Sequence, residues 1–116
     1  MPIKNFLKIT PFAKSSHSGE GLLNGRTIFG PGELDSPLKF INYTEMPPGS
    51  SIGLHTHKND EEVYIILEGT GLARIDGQDT EVEPGDTILN KPFGEHALYN
   101  TGRGALKVLI FKVVND

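Results

Sequence analysis

A chain of 116 residues is most simply one domain, with room for a modest core. Its formal net charge of −4 comes without any basic block, so no nucleic-acid partner is expected, and the absence of cysteine excludes disulfides, thiolate metal sites and thiol catalysis. Hydrophobic residues make up 36% of the chain, which is lean for a free-standing monomer.

The first residues, Met1-Pro-Ile-Lys-Asn-Phe-Leu-Lys-Ile, hold no apolar run long enough for a signal peptide or a membrane span. No membrane contact is expected, and the cytoplasm is the expected compartment. Residues 1–24 read as an irregular arm with a short strand at 6–9, ended by Pro11. Residues 25–116 read as the folded body. The polar loop 15–21 carries His17, expected to be merely solvated. Strands follow at 26–29 and 38–45, the second closed by Met46-Pro-Pro-Gly49. No useful helix signal appears.

From Gly49 onward, strands and turns alternate roughly every eight to twelve residues, the rhythm of an all-β sandwich or barrel. Strands are predicted at 53–57, 62–67, 87–89, 96–100 and 106–114. A hairpin joins 72–75 to 80–82 through the turn dipeptide Asp76-Gly77. The run Val63-Tyr-Ile-Ile-Leu67 is apolar at both parities, so both faces of that strand need cover. If Glu62 and Tyr64 point inward, Val63, Ile65 and Leu67 point outward. The N-terminal arm or a second subunit must then cover them, and a homodimer is expected.

Three of the four histidines fall in two segments, 49–69 and 85–100. His55 and His57 are two apart, so on a strand they share a face, roughly 6.5–7 Å apart along the chain. Glu62 is five residues past His57 and would face the wrong way on one continuous strand. Lys58-Asn59-Asp60 contains turn formers. If the chain reverses there, Glu62 returns to the same face of the neighbouring strand, and His96 arrives from a third strand.

The two segments resemble the paired motifs of the cupin superfamily. The first, G-x5-H-x-H-x4-E-x6-G, is met by Gly49, His55, His57, Glu62 and Gly69 without a gap. The second, G-x5-P-x-G-x2-H-x3-N, is met by Gly85, His96 and Asn100, with Pro92 and Gly94 each one place late. The resemblance implies a single-domain double-stranded β-helix, the jelly-roll barrel of a small monocupin. It also implies a divalent metal on His55, His57, Glu62 and His96. Three imidazoles and a carboxylate suit Mn, Fe, Co, Ni, Cu or Zn, and suit Ca or Mg poorly. For an octahedral ion, four protein donors leave two positions for a small-molecule ligand, O2 or water.

Around that site, alternation turns Tyr64 inward as a candidate catalytic donor or acid. Glu68 and Glu95 are candidates for proton transfer, and Phe40, Phe93 and Leu98 for apolar pocket walls. Asn100 reads as a structural residue near a turn. Arg74 is the one arginine with a claim on the pocket. Oxalate-decarboxylase-like cupins carry an arginine shortly before the first histidine, where this chain has Ile52, which argues against that chemistry. No basic cluster lies near the motif, which argues against a phosphate-bearing substrate. The expected function is metal-dependent chemistry on a small oxygen-rich molecule, by dioxygenation, decarboxylation or isomerisation. The alternative is a module that binds a small ligand or metal without chemistry.

Overall fold

The computed structural model describes residues 2–115. Its strands, in chain order, are β1 (Phe12–Lys14), β2 (Leu23–Phe29), β3 (Leu38–Met46), β4 (Ser51–Thr56), β5 (Asp60–Glu68), β6 (Gly71–Ile75), β7 (Gln78–Val82), β8 (Thr87–Asn90), β9 (Glu95–Asn100) and β10 (Leu106–Val114). They form two antiparallel sheets, one six-stranded in the order β1-β2-β3-β10-β5-β8 and one four-stranded in the order β4-β9-β6-β7. The fold is the all-β jelly-roll type of a double-stranded β-helix.

Local chemistry explains most of the elements. Along β5, Asp60, Glu62, Tyr64 and Ile66 are buried, while Val63 and Ile65 are half-buried and Leu67 is exposed. That is the period of two, with Glu62 and Tyr64 inward as expected. Asp76 and Gly77 both adopt positive φ, 48° and 81°, the two-residue turn whose twist suits a tight hairpin, and β6 pairs with β7 across it. The amide of Asn100 donates to the carbonyls of Met46 and Gly104, and its oxygen accepts from the Gly102 N–H, so this buried residue ties three segments together.

The N-terminal segment departs from expectation. Residues 6–8 form a 3-10 turn, Phe6–Lys8, not a strand. The Asn5 side chain accepts from the Leu7 N–H and so stabilises the turn in place of extended pairing. The arm's strand is instead β1, which pairs with β2. Phe6 packs on Tyr43 of its own chain with ring centroids 4.5 Å apart, and Arg26 donates to the Phe6 carbonyl.

The core lies between the sheets and is graded along the strands. Met46, Ile52, Ile66, Leu98, Leu106 and Val108 make its apolar part. Moving along β3, β10, β5 and β8, the register aligns Phe40, Lys112, Glu62 and Asn90 across four strands. The interior therefore becomes polar at the end where the motif residues lie.

Candidate metal centre

His55 reaches the centre through an irregularity. On β4 two residues, Gly53 and Leu54, stand between Ile52 and His55, whereas on β9 only Ala97 stands between their partners Leu98 and His96. This bulge re-aims His55, as bulges beside functional sites do, and sets it directly opposite His96. The Gly53 carbonyl accepts a hydrogen bond from His55 Nδ1 at 2.7 Å. The Nε2 of His55 then carries the lone pair, and it is buried with no partner among the described residues. His57 lies just beyond β4, where its backbone N–H bonds the Gly94 carbonyl. Its Nδ1 donates to Asp60 Oδ1, again leaving Nε2 as the free acceptor.

The four donors converge. One ligand atom each from His55, His57, Glu62 and His96 lies within 4.8 Å of all the others. Glu62 Oε1 stands 3.5 Å from His57 Nε2 and 3.8 Å from His96 Nε2. The Nε2 atoms of His57 and His96 meet at close range. A buried, unpartnered nitrogen on His55 and the convergence of the other three donor atoms on it fit a divalent transition-metal ion. Glu62 reaches the group differently from the expected route. β5 is not the neighbour of β4; the link at Lys58-Asn59 crosses from the four-stranded sheet to the six-stranded one. The glutamate faces the histidines across the barrel because the two sheets stack.

Burial shapes the protonation of these groups. It lowers the His96 imidazole to about 3, with His55 and His57 adding to the effect. It lowers His55 as well. It raises the Glu62 carboxyl. Burial also pushes Asp60 up, but the His57 hydrogen bond and the Lys112 charge outweigh it, so Asp60 ends below its ordinary value and ionised.

The surroundings differ from the sequence reading in several places. Tyr64 is buried, and burial, with the Glu62 carboxylate adding to it, holds its pKa well above the ordinary value. Glu68 is exposed and pairs with Lys107 at 2.8 Å, away from the centre. Glu95 is exposed on β9. Arg74 is taken by Asp79 in a paired contact of 2.7 and 3.0 Å and lies over Tyr99, outside the pocket. Of the three apolar wall candidates, Phe40 lines a small interior cavity, Leu98 is core, and Phe93 is exposed with φ 63°.

A cavity of about 560 Å³ opens over the donors, and His17, Lys39, Lys58 and Lys112 line it together with His55, His57 and Glu62. The expectation of no basic cluster near the motif is therefore corrected. Lys39 and Lys112 come from β3 and β10, which flank the site in space and not in sequence. Lys112 stands 3.4 Å from Asp60, whereas Lys39 and Lys58 form no ion pair among the described residues. Ile52 is buried and lines the small interior cavity beside His17 and Glu62, not the outer one.

His17 is the largest correction. The residue is exposed, as expected of the loop, yet its ring is not free: it stacks on His55, with centroids 3.4 Å apart and planes at 6°. Burial against that ring, with His55 beside it, lowers its pKa to about 4. Asp60, Lys112, Asn90 and His17 are the site residues the motif reading missed. Only Asp60, three residues past His57, carried a local signal.

A cupin-domain family model matches residues 42–112. The Oxalate-binding protein of Thermotoga maritima is 30% identical over 103 residues, covering 88% of this chain and 85% of that protein. An uncharacterized protein of Methanocaldococcus jannaschii is 45% identical over 64 residues, covering 55% of this chain and 51% of that protein. Among solved structures, a Thermotoga maritima protein described as a predicted oxalate decarboxylase superposes with a TM-score of 0.94 at 27% identity, covering 97% of this chain and 99% of that one. Two stacked antiparallel sheets, four convergent donors and a family match over most of the barrel lead to one conclusion: this chain belongs to the cupin family.

Proposed function

We propose that the protein holds a small dicarboxylate anion on a divalent transition metal bound by His55, His57, Glu62 and His96. The observation that carries this reading is the cavity over the four donors, with Lys39, Lys58 and Lys112 on its wall. One carboxylate against a dication leaves the ligand set about one positive charge in excess, and Asp60 is balanced by Lys112. Lys39 and Lys58 then add positive charge at the mouth. Such a site attracts a compact anion with more than one oxygen donor. The Thermotoga maritima matches, a curated protein named for binding oxalate and a solved structure described as a predicted oxalate decarboxylase, support the same ligand class.

The metal, when bound, supplies a Lewis acid with open positions for a chelating ligand. The chain's own groups do the rest. Gly53 and Asp60 fix the tautomers of His55 and His57. Tyr64, buried beside Glu62, forms part of the inner wall of the site. The lysines draw the anion in. Among the expected reactions, the description of the Thermotoga maritima structure supports decarboxylation, in which the C–C bond breaks, CO2 leaves and a proton from solvent completes formate.

A second reading is binding without chemistry. It is favoured by the places of the acid candidates: Glu68 and Glu95 are exposed, and Tyr64 holds its proton too tightly to transfer it near neutral pH. Calorimetry with Mn-loaded protein and oxalate tests the shared part, and an assay for CO2 and formate under air separates the two. Manganese-dependent oxalate binding with product formation supports the enzyme, and binding alone supports the second reading. Oxalate binding that is equal with and without metal would sink both.

We also propose that the outer face of the six-stranded sheet packs against a second copy of the chain. The register sets Ile41, Phe111, Val63 and Leu89 in one outward row, with Leu109 and Ile65 in the next. Leu67 and Leu89 are exposed in the single chain. A row of this kind marks a contact surface.

A further inference from the structure

The loop that carries His17 is built onto β4 with unusual closeness. The Ser16 carbonyl accepts from the N–H groups of both Gly19 and Gly53, at 2.9 and 3.0 Å. The Ser51 N–H donates to the Glu20 carbonyl at 2.9 Å, and the Glu20 N–H donates back to Ser51 Oγ at 2.8 Å. A Cβ at Gly53 would collide with the His17 carbonyl oxygen, and one at Gly19 with that of Ser51. Two glycines thus let two backbones approach where any other pair of residues would hold them apart. His17 and Ser18 both take positive φ, 49° and 57°, a region that residues with a Cβ seldom enter. The loop accepts that conformation, and the result is an imidazole laid flat on a candidate metal ligand.

His17 is not needed as a fifth donor, since the convergent group is complete without it. Its position is informative in another way. It lines the outer cavity with the three lysines, and it also lines the interior cavity of about 90 Å³ with Asn42, Tyr64 and Phe40. Glu62 is the other residue common to both. Anything seated on the metal's open positions and extending inward passes between Glu62 and His17. The Glu62 side is anionic and repels a carboxylate, so at that passage the imidazole is the group that can receive one; Lys14, Asn42 and Thr44 line the interior cavity with it. Its ring nitrogens bond no protein atom among the described residues.

We propose that His17 is a specificity-determining residue of this site: from the loop 15–21 it donates a ring N–H to the second carboxylate of a small dicarboxylate held on the metal. The proposal rests on the metal-and-anion reading above. It differs from a purely mechanical role, in which His17 merely steadies His55 by stacking.

The two roles respond oppositely to two substitutions. His17→Phe keeps a flat ring for stacking and removes the N–H. His17→Gln removes the stack and keeps an N–H donor. The experiment loads wild type and both variants with Mn, measures bound Mn by elemental analysis, and titrates each with oxalate and with acetate by calorimetry. The expected result is about one Mn per chain in all three proteins. Oxalate affinity falls about tenfold or more in His17→Phe and recovers in part in His17→Gln, as expected for one lost hydrogen bond to a charged group. Acetate, which has no second carboxylate, changes little in either. Oxalate binding to His17→Phe at the wild-type affinity overturns the proposal and leaves the parent reading standing. Wild-type protein that takes up Mn and binds no oxalate overturns both. Wild-type protein that takes up no Mn overturns the metal site itself.

Discussion

His57 and Asp60 face each other across the link that joins the two sheets, with His57 Nδ1 donating to Asp60 Oδ1. Lys112, from the last strand, stands 3.4 Å from the other oxygen of the same carboxylate. The pair fixes the His57 ring and its tautomer before any metal arrives. Such a carboxylate behind a ligating histidine affects metal affinity by about 10–100-fold. Asp60→Asn is therefore expected to weaken Mn or Zn binding by that factor while the protein stays folded. His57→Ala is expected to weaken it further. Equilibrium dialysis with elemental analysis checks both, and unchanged affinity in Asp60→Asn would show that the contact is incidental.

Acid should destabilise the metal-free protein. His96 is lowered to about 3, His17 to about 4, and His55 is lowered as well. Between those values and the ordinary histidine value of about 6.5, the unfolded chain binds more protons than the folded one. The contribution of these groups is complete above about 6.5 and is lost as pH falls through their folded values. Glu62, raised by burial, acts in the opposite sense: its contribution is present below its ordinary value and is lost as pH rises through its folded value. Three imidazoles outweigh one carboxyl, so the melting temperature should fall steadily from about pH 7 to about pH 4. A melting temperature that is flat or rising on acidification would contradict the burial of these rings.

The same shifts move the pH of metal release. Unperturbed imidazoles would release the ion between about pH 7 and about pH 5. Lowered imidazoles compete less well for protons, so occupancy should persist to about pH 5 and be lost below it. Dialysis at stepped pH with elemental analysis reads the midpoint directly. A midpoint near pH 6.5 would mean that the donors titrate as exposed histidines.

Lys39 and Lys58 lie at the cavity mouth, and replacing both with Gln should weaken oxalate binding to the Mn-loaded protein. Each exposed charge contributes about 0.2–1 kcal/mol, so the combined loss is roughly two- to thirtyfold. The salt dependence of binding should flatten at the same time. Unchanged affinity at low ionic strength would show that the lysines do not meet the ligand.

Ile65 lies in the centre of the outward apolar face, between Leu109 of β10 and Thr87 of β8. A two-fold dimer through this face is expected, with the two metal cavities separate and open. Ile65→Asp should shift the sedimenting species from dimer to monomer, because a carboxylate buried without a partner costs several kcal/mol. Wild-type protein that sediments as a monomer at micromolar concentration would show that this face is not an interface.

Much of the barrel was legible because its signals are local. Strand β10 matches the predicted span, and the Asp76-Gly77 hairpin follows from two residues that accept positive φ. The inward parity of Glu62 and Tyr64 follows from the period of two. The turn at Phe6–Lys8 was misread as a strand because its apolar residues outweighed the small signal of an Asn5 cap.

Which residues surround the donors was decided by tertiary structure. The spacing of His55, His57, Glu62 and His96 names a metal-binding group, since each separation fits a face or a turn within a short stretch of chain. It does not say that Glu62 approaches from the opposite sheet, because strand pairing depends on long-range packing. Lys112 stands beside Glu62 only because β10 inserts between β3 and β5. His17 reaches His55 only because Gly19 and Gly53 let a loop lie against a bulged strand. A sequence records local preference at each residue, whereas the charge and shape of this cavity arise from contacts between residues tens of positions apart.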